Sequence, residues 1–355
     1  MYPCLEIDLT KIRHNASYLV NLLKTHGIST AAVTKVFCSD ERIVETICKC
    51  GVNYLADSRL ENIEAYPQNG IPRMLTRLPS PKEADRVVGI CDISLNSEIA
   101  TLGELAKEAD RAGKAHGIIL MVDLGDLREG VYHNNEDLLC NTVEFVLSKK
   151  SLNFLGIGTN LTCYGSVLPT EENMERLIAT AVKVKEKFHV NFQIISGGNS
   201  SSLYLLESGK MPKGITNLRI GESIVRGVET AYGKPFDGLK TDAITLHAEI
   251  IEIMEKPSYP EGEIGINAFG EKIHYTDIGI RRRAILAAGR QDVDHQSLEC
   301  VMPGINIVSA SSDHLIVDVT DSSESFQVGD ILKFSMSYGA ILSCFTSKYV
   351  KRRYV

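Results

Sequence analysis

The chain has 355 residues, 44% of them hydrophobic and 23% charged, with a formal net charge of −7. That length suits two domains with a sizeable core, and the acidic balance argues against nucleic acid or an acidic membrane surface as a partner. Small-molecule chemistry is the function class that remains.

The nine cysteines are odd in number and scattered, and Cys48-Lys49-Cys50 has no companion pair. This points to a reducing compartment and to no metal site. The N-terminus lacks a basic stretch followed by an apolar one, and no eighteen apolar residues run together. A cytoplasmic location is therefore expected.

From the N-terminus, Cys4 to Leu9 alternates apolar and polar residues, and Thr10 to about His26 reads as a helix. Between residues 28 and 222, β-rich runs alternate with amphipathic stretches. Strands are predicted at 30–36, 52–56, 72–76, 91–95, 117–123, 153–159, 192–197 and 216–220. Ser39-Asp40 should cap a helix over 41–50, Ser97 one over 98–113 and Thr170 one over 171–188. Eight strands with intervening helices close most naturally into a (β/α)8 TIM-type barrel, over residues 10–240. Beyond it, strands are predicted at 245–254, 261–269, 281–289, 305–309, 313–319, 330–337 and 340–345, joined by Gly, Pro, Asp and Ser turns. Residues 241–355 thus read as a C-terminal all-β domain, which the strand at 1–9 is expected to join.

In such a barrel, function gathers at the C-terminal strand ends. Lys35 stands in the apolar run Thr30-Ala31-Ala32-Val33-Thr34-Lys35-Val36-Phe37, where a buried amine would be neutral enough to attack a carbonyl and form an imine. Asp57, Arg59, Asn96, Asp123, Arg128 and Asn160 follow other strands. The loops after strands seven and eight often hold a phosphate. Here they read Ser196-Gly197-Gly198-Asn199-Ser200-Ser201-Ser202 and Arg219-Ile220-Gly221-Glu222-Ser223. A helix starting after Asn199 would aim free N–H groups at an anion. A lysine and a phosphate site on one rim suggest pyridoxal 5'-phosphate. Arg219, projecting into the barrel, would donate to the pyridine nitrogen without protonating it, which weakens the electron sink and favours simple return of a proton.

These segments resemble the alanine racemase family of fold-type III pyridoxal phosphate enzymes, over essentially the whole chain. Val122-Asp123-Leu124-Gly125-Asp126-Leu127-Arg128-Glu129-Gly130 and Ser337-Tyr338 also match. Met121 to Gly130, Asn160-Leu161-Thr162-Cys163-Tyr164-Gly165 and Ser311-Ser312-Asp313-His314-Leu315 place the chain nearest the members that racemise ornithine. The resemblance implies that Lys35 is the imine-forming residue and a proton carrier, and that Arg128 lies near the phenolic oxygen. It implies that Asn160 supports the pyridine arginine, Arg219. Asn199, Ser200, Gly221, Glu222 and Tyr338 would hold the phosphate, while Ser312 and Asp313 would meet the substrate. A homodimer is also implied. The alternatives are an alanine or broad basic-amino-acid racemase, or a non-catalytic pyridoxal phosphate-binding protein.

The chain departs from the family pattern at three places. Ser39 replaces a tyrosine after the lysine, and Asn160 replaces a histidine. Ile264 in Glu263-Ile264-Gly265 stands where the family's second base, a tyrosine, is expected. Racemisation moves a proton off one face of the α-carbon and onto the other, which normally takes two carriers. Cys163, Tyr164, Tyr275, Asp292 and His314 are the candidates for the second.

Overall fold

In the computed structural model, which describes residues 2–355, the alternation of β-rich and amphipathic runs becomes a closed ring of parallel strands. The chain opens with β1 (Cys4–Ile7), followed by β2 (Ser29–Val33), β3 (Tyr54–Asp57), β4 (Arg73–Leu75), β5 (Ile93–Asn96) and β6 (His116–Asp123). The short β7 (Val131–Tyr132), β8 (Leu152–Gly158), β9 (Ile194–Ser196) and β10 (Asn217–Ile220) complete this part. Neighbours run β5-β4-β3-β2-β10-β9-β8-β6, and a β5–β6 pairing closes the eight-stranded barrel; β7 extends the end of β6. All eight predicted barrel strands are present.

Helices Leu9–Thr25, Glu41–Cys48, Ile99–Ala112, Glu136–Leu147 and Glu171–Phe188 are the longest of those packed around the ring. Asp40 caps one through Ile43 N, and Thr170 and Asn173 form a reciprocal capping box on another. The helix expected to open at Ser97 starts instead at Ile99, with no side-chain cap.

The barrel interior is filled by Ala31, Ala56, Met74, Ile93, Leu95, Ile119, Met121, Leu155 and Ile194, all buried. Small and branched side chains suit the taper of a small ring. Gly156 shows how tight the wall is. Its φ is +149°, and a Cβ there would lie 1.8 Å from the Ile194 carbonyl oxygen. It sits at a register shift between β6 and β8, where the strand bends to meet β9.

Residues 1–9 and 242–355 form one compact unit and residues 10–241 the other. In the former, β11 (Ile244–Pro257), β12 (Ile280–Leu286), β13 (Leu298–Cys300), β14 (Asn306–Ala310), β15 (Leu315–Asp318) and β16 (Ile331–Met336) form a mostly antiparallel sheet. Its order is β13-β16-β11-β12-β15-β14. The N-terminal strand β1 pairs with β11 and with β17 (Lys351–Tyr354).

Two predicted strands of this unit are not strands. Residues 261–269 lie in a segment without regular structure between β11 and β12. Residues 340–345 lie in the helix Tyr338–Thr346. There the buried residues are Ala340, Ile341, Cys344 and Phe345, a one-sided helical spacing that a short apolar run conceals. Two short strands were not expected, Leu298–Cys300 and Lys351–Tyr354. The latter carries Lys351, Arg352 and Arg353, and pairs on one side only. Charged edge strands have no apolar alternation to reveal them. No helix among the described residues is long and apolar enough to cross a membrane.

His116, the first residue of β6, is fully buried with Nε2 2.8 Å from Ser94 Oγ. Burial pushes its pKa down to about 4. The unfolded chain binds this proton near pH 6.5 and the folded chain does not. Stability is therefore complete above about pH 6.5 and is lost as pH falls toward 4, by up to about 3 kcal/mol. His116→Gln should flatten the fall in Tm over that window; an unchanged slope in thermal melts would refute the assignment.

Candidate active site

Arg219 is the residue around which the barrel's C-terminal end is organised. Its Cα partner on β2 is Ala31, a barrel-interior residue, so the guanidinium shares that inward face. It is 3% exposed. Nη1 donates to Ser196 Oγ on β9, and Nη2 donates to the Thr159 carbonyl at 2.7 Å and to Asn160 Oδ1. Burial draws its pKa down to about 10, so it remains a cation at neutral pH.

The balancing charge is Glu129. Asn160 Nδ2 donates to Glu129 Oε1, and Arg128 grips the same carboxylate through Nε and through Nη2, the latter at 2.7 Å. Burial would raise the Glu129 pKa, but the hydrogen bond and charge of Arg128, the Asn160 amide and the charge of Arg219 outweigh it. The carboxyl is held below its usual range. A continuous chain thus runs Arg128, Glu129, Asn160, Arg219, Ser196. Asn217 extends it, since Ser196 Oγ donates to Asn217 Oδ1 at 2.7 Å.

Lys35 lies on the neighbouring strand end, as the first residue of a 3-10 turn, Lys35–Phe37, after β2. It was expected to be buried, and it is exposed. The apolar run around it belongs to the strand and to Val36 and Phe37, which turn inward and leave the lysine outward. What is buried is the cluster beneath. Thr34 Oγ1 donates to Asp57 Oδ2 at 2.5 Å and lies 2.9 Å from Ser39 Oγ and 2.8 Å from Tyr66 OH. Asp57 Oδ1 accepts from the amides of Ser58 and Arg59 and from Asn62 Nδ2. Burial, partly offset by these bonds, raises the Asp57 pKa. The turn closes through Cys38 and Ser39, at φ +47° and +52°, a left-handed conformation that non-glycine residues seldom adopt.

The third group follows β9 and β10. Asn199 caps a 3-10 turn over Ser200–Ser202 by accepting from Ser201 N at 2.8 Å, and the helix expected after it is this turn followed by Leu203–Glu207. Its Nδ2 reaches the Leu161 carbonyl at 3.0 Å and Cys163 Sγ at 3.3 Å. Ser200 Oγ accepts from Gly221 N and Ser223 N, both at a long 3.4 Å. Ser201 Oγ is buried with no hydrogen-bond partner. A Cβ on Gly221 would lie 2.7 Å from the Val33 carbonyl oxygen, so only glycine lets this backbone lie against β2. The Glu222 side chain pairs with Arg226.

The fold therefore gathers Arg128, Asn160, Asn199, Ser200, Arg219 and Gly221 at one end of the barrel, next to the strand that presents Lys35. Tyr338, Ser312, Asp313, Tyr275, Asp292, His314 and Ile264 belong to the other unit. Tyr338 opens the helix Tyr338–Thr346, and Asp313 accepts from Gln291 Nε2 at 2.7 Å. Sequence reading gave no role to Glu129, Ser196 or Asp57. Glu129 had a signal, an acid directly following an arginine in a strand-end loop, but its partner Asn160 lies 31 residues on.

The chain matches the family model "Alanine racemase, N-terminal domain" over residues 7–227. It is 48% identical over 352 residues to ornithine racemase of Acetoanaerobium sticklandii, with 99% of each chain covered. It belongs to the alanine racemase family. A lysine racemase of Thermotoga maritima is 40% identical over 359 residues, covering 100% of this chain and 99% of that one. Among solved structures, alanine racemase from Streptomyces lavendulae superposes with a TM-score of 0.76 at 18% identity. It covers 100% of this chain and 98% of that chain, and bears on the fold alone.

The residues fit the cofactor that the family implies. An unpaired buried hydroxyl, two loosely held amides and a glycine with no room for a side chain suit a phosphate. The buried guanidinium suits a ring nitrogen that is to be hydrogen-bonded without being protonated. Removing the Glu129 carboxylate leaves Arg219 buried without its countercharge. Glu129→Leu should lower stability by on the order of 2 kcal/mol, and Glu129→Gln by less. Urea unfolding showing no loss in Glu129→Leu would contradict the network.

Proposed function

We propose that this chain is a pyridoxal 5'-phosphate-dependent racemase that interconverts L- and D-ornithine, working in the cytoplasm as a homodimer. The observation that carries the reading is that Lys35 and Arg219 rise from hydrogen-bonded neighbouring strands, β2 and β10. An amine and a proton-retaining cation thereby stand on neighbouring strand ends of the barrel. The 48% identity to an ornithine racemase supports the substrate.

Pyridoxal 5'-phosphate, when bound, supplies the electron withdrawal that makes the α C–H of an amino acid acidic. Everything else is done by the protein. The Gly221 and Ser223 amides with the Ser200 and Ser201 hydroxyls would hold the phosphate. Arg219 would donate an N–H to the ring nitrogen and keep its own proton, because a guanidinium does not release it at neutral pH. Arg128, held by Glu129, would orient the phenolic oxygen. The Lys35 Nζ takes or returns the α-proton on one face. Asp57 and Thr34 fix the turn that carries it.

The test is incubation of the cofactor-loaded protein with single enantiomers of ornithine, lysine and alanine in deuterated water. Ornithine should lose optical rotation and gain α-deuterium fastest. Exchange with none of the three would refute the reading. Lys35→Ala should lower the rate by about 10³-fold or more and abolish the visible absorbance of the loaded protein. Retained absorbance and rate would exclude Lys35 from its role.

A further inference from the structure

Racemisation leaves one carrier unassigned, since Ile264 has no titratable proton. We propose that Cys163 is the second proton carrier, an inference that rests on the racemase reading above.

The loop Leu161–Val167 after β8 is built to hold this residue in one place. Thr162 and Ser166 have φ of +65° and +55°. For a β-branched residue such as threonine, that is a costly conformation which persists only where the surroundings enforce it. They do so from three sides. Thr162 N donates to the Val167 carbonyl at 3.0 Å, closing the loop on itself. The Asp126 carboxylate, only 1% exposed, accepts from Tyr164 N and Val167 N, both at 3.2 Å. Asn199 Nδ2 holds the Leu161 carbonyl and the Cys163 sulfur together.

That last bond has a chemical consequence. The amide donates to a sulfur lone pair, so the S–H proton is directed elsewhere and is available for transfer. Cys163 is exposed, and it interacts electrostatically with both Arg128 and Arg219. Around the ring, β8 is three strands from β2, with β9 and the Arg219 strand between them. Lys35, after β2, and Cys163, after β8, therefore stand on opposite sides of the Arg219 strand in the ring.

The other candidates lack this combination. Tyr164 is 71% exposed, and only its backbone amide is held. Asp292 already accepts from Gly289 N at 3.0 Å and from Ser347 Oγ at 3.4 Å. His314 sits in the exposed turn before β15, and Tyr275 packs edge-on against Tyr259.

The proton balance is simple. In one direction the Lys35 Nζ takes the α-proton as it is released from its substrate, while the Cys163 thiol gives its proton to the opposite face and becomes a thiolate. In the other direction the thiolate takes and the Lys35 Nζ gives. Solvent restores the starting states of both.

The experiment compares the cofactor-loaded wild type with Cys163→Ser and Cys163→Ala in deuterated water, starting from each ornithine enantiomer. Racemisation should fall by about 100-fold or more. The enantiomer whose α-proton faces Lys35 should still exchange it for deuterium with retained configuration, and the other should not. A merely structural role would slow both enantiomers equally, and that result overturns the proposal. So does racemisation in both variants within about five-fold of wild type. A wild type that exchanges neither enantiomer overturns the racemase reading itself. Should the variants not fold, alkylation of the wild type by iodoacetamide, read by peptide mass, decides. Saturating ornithine should slow labelling of Cys163 at least about five-fold, and equal labelling with and without it overturns the assignment.

Discussion

A permanent cation inside a barrel core is the constraint on which this site depends. Leaving water costs a guanidinium several kcal/mol unless its donors and charge are matched. Arg219 meets that requirement with groups from three different strand ends: Ser196 on β9, Thr159 and Asn160 after β8, and Glu129 after β6. Because each partner must be positioned for the arginine, the loops that carry them are positioned too. Arg128 and Asn199 are set by the same demand, one through Glu129 and the other through the Leu161 carbonyl beside Asn160.

The lysine is presented by the opposite strategy. Its side chain is left outward, and the order lies underneath it, in the Thr34, Ser39, Tyr66 and Asp57 cluster. A left-handed pair at Cys38 and Ser39 is strain that a surface turn would relax. The buried hydroxyls and the carboxylate hold it in place. Strain recurs at Thr162 and Ser166, again beside a residue that carries a transferable proton, and again pinned by a buried aspartate. In both places a side chain with a titratable proton stands on a rigidly held turn, which limits its geometric freedom.

The barrel was legible because each of its strands is a short β-rich run bounded by helix signals, as at Thr170 before Glu171–Phe188. The second unit was less so. Residues 340–345 read equally well as strand or helix, and their one-sided burial, which settles the matter, is a property of what they pack on. Lys351–Tyr354 has too many charges to read as a strand, yet it pairs with β1 from the far end of the chain. Within the site, Lys35, Arg128, Asn160, Asn199, Ser200, Arg219 and Gly221 stood out as polar or glycine residues at strand ends.

Sequence by itself determined the class of this protein: a (β/α)8 barrel with a β-rich second part, a lysine and an arginine on adjacent strand ends, and membership of the alanine racemase family. Periodicity and strand-end chemistry are local properties, and local properties survive in one dimension. Tertiary structure decided the exposure of Lys35, the role of Glu129 as countercharge, and the juxtaposition of Cys163 with Asn199. The last two depend on groups dozens of residues apart being brought within a few ångströms. Burial and hydrogen bonding, which set charge and proton availability, are fixed only when that approach is made.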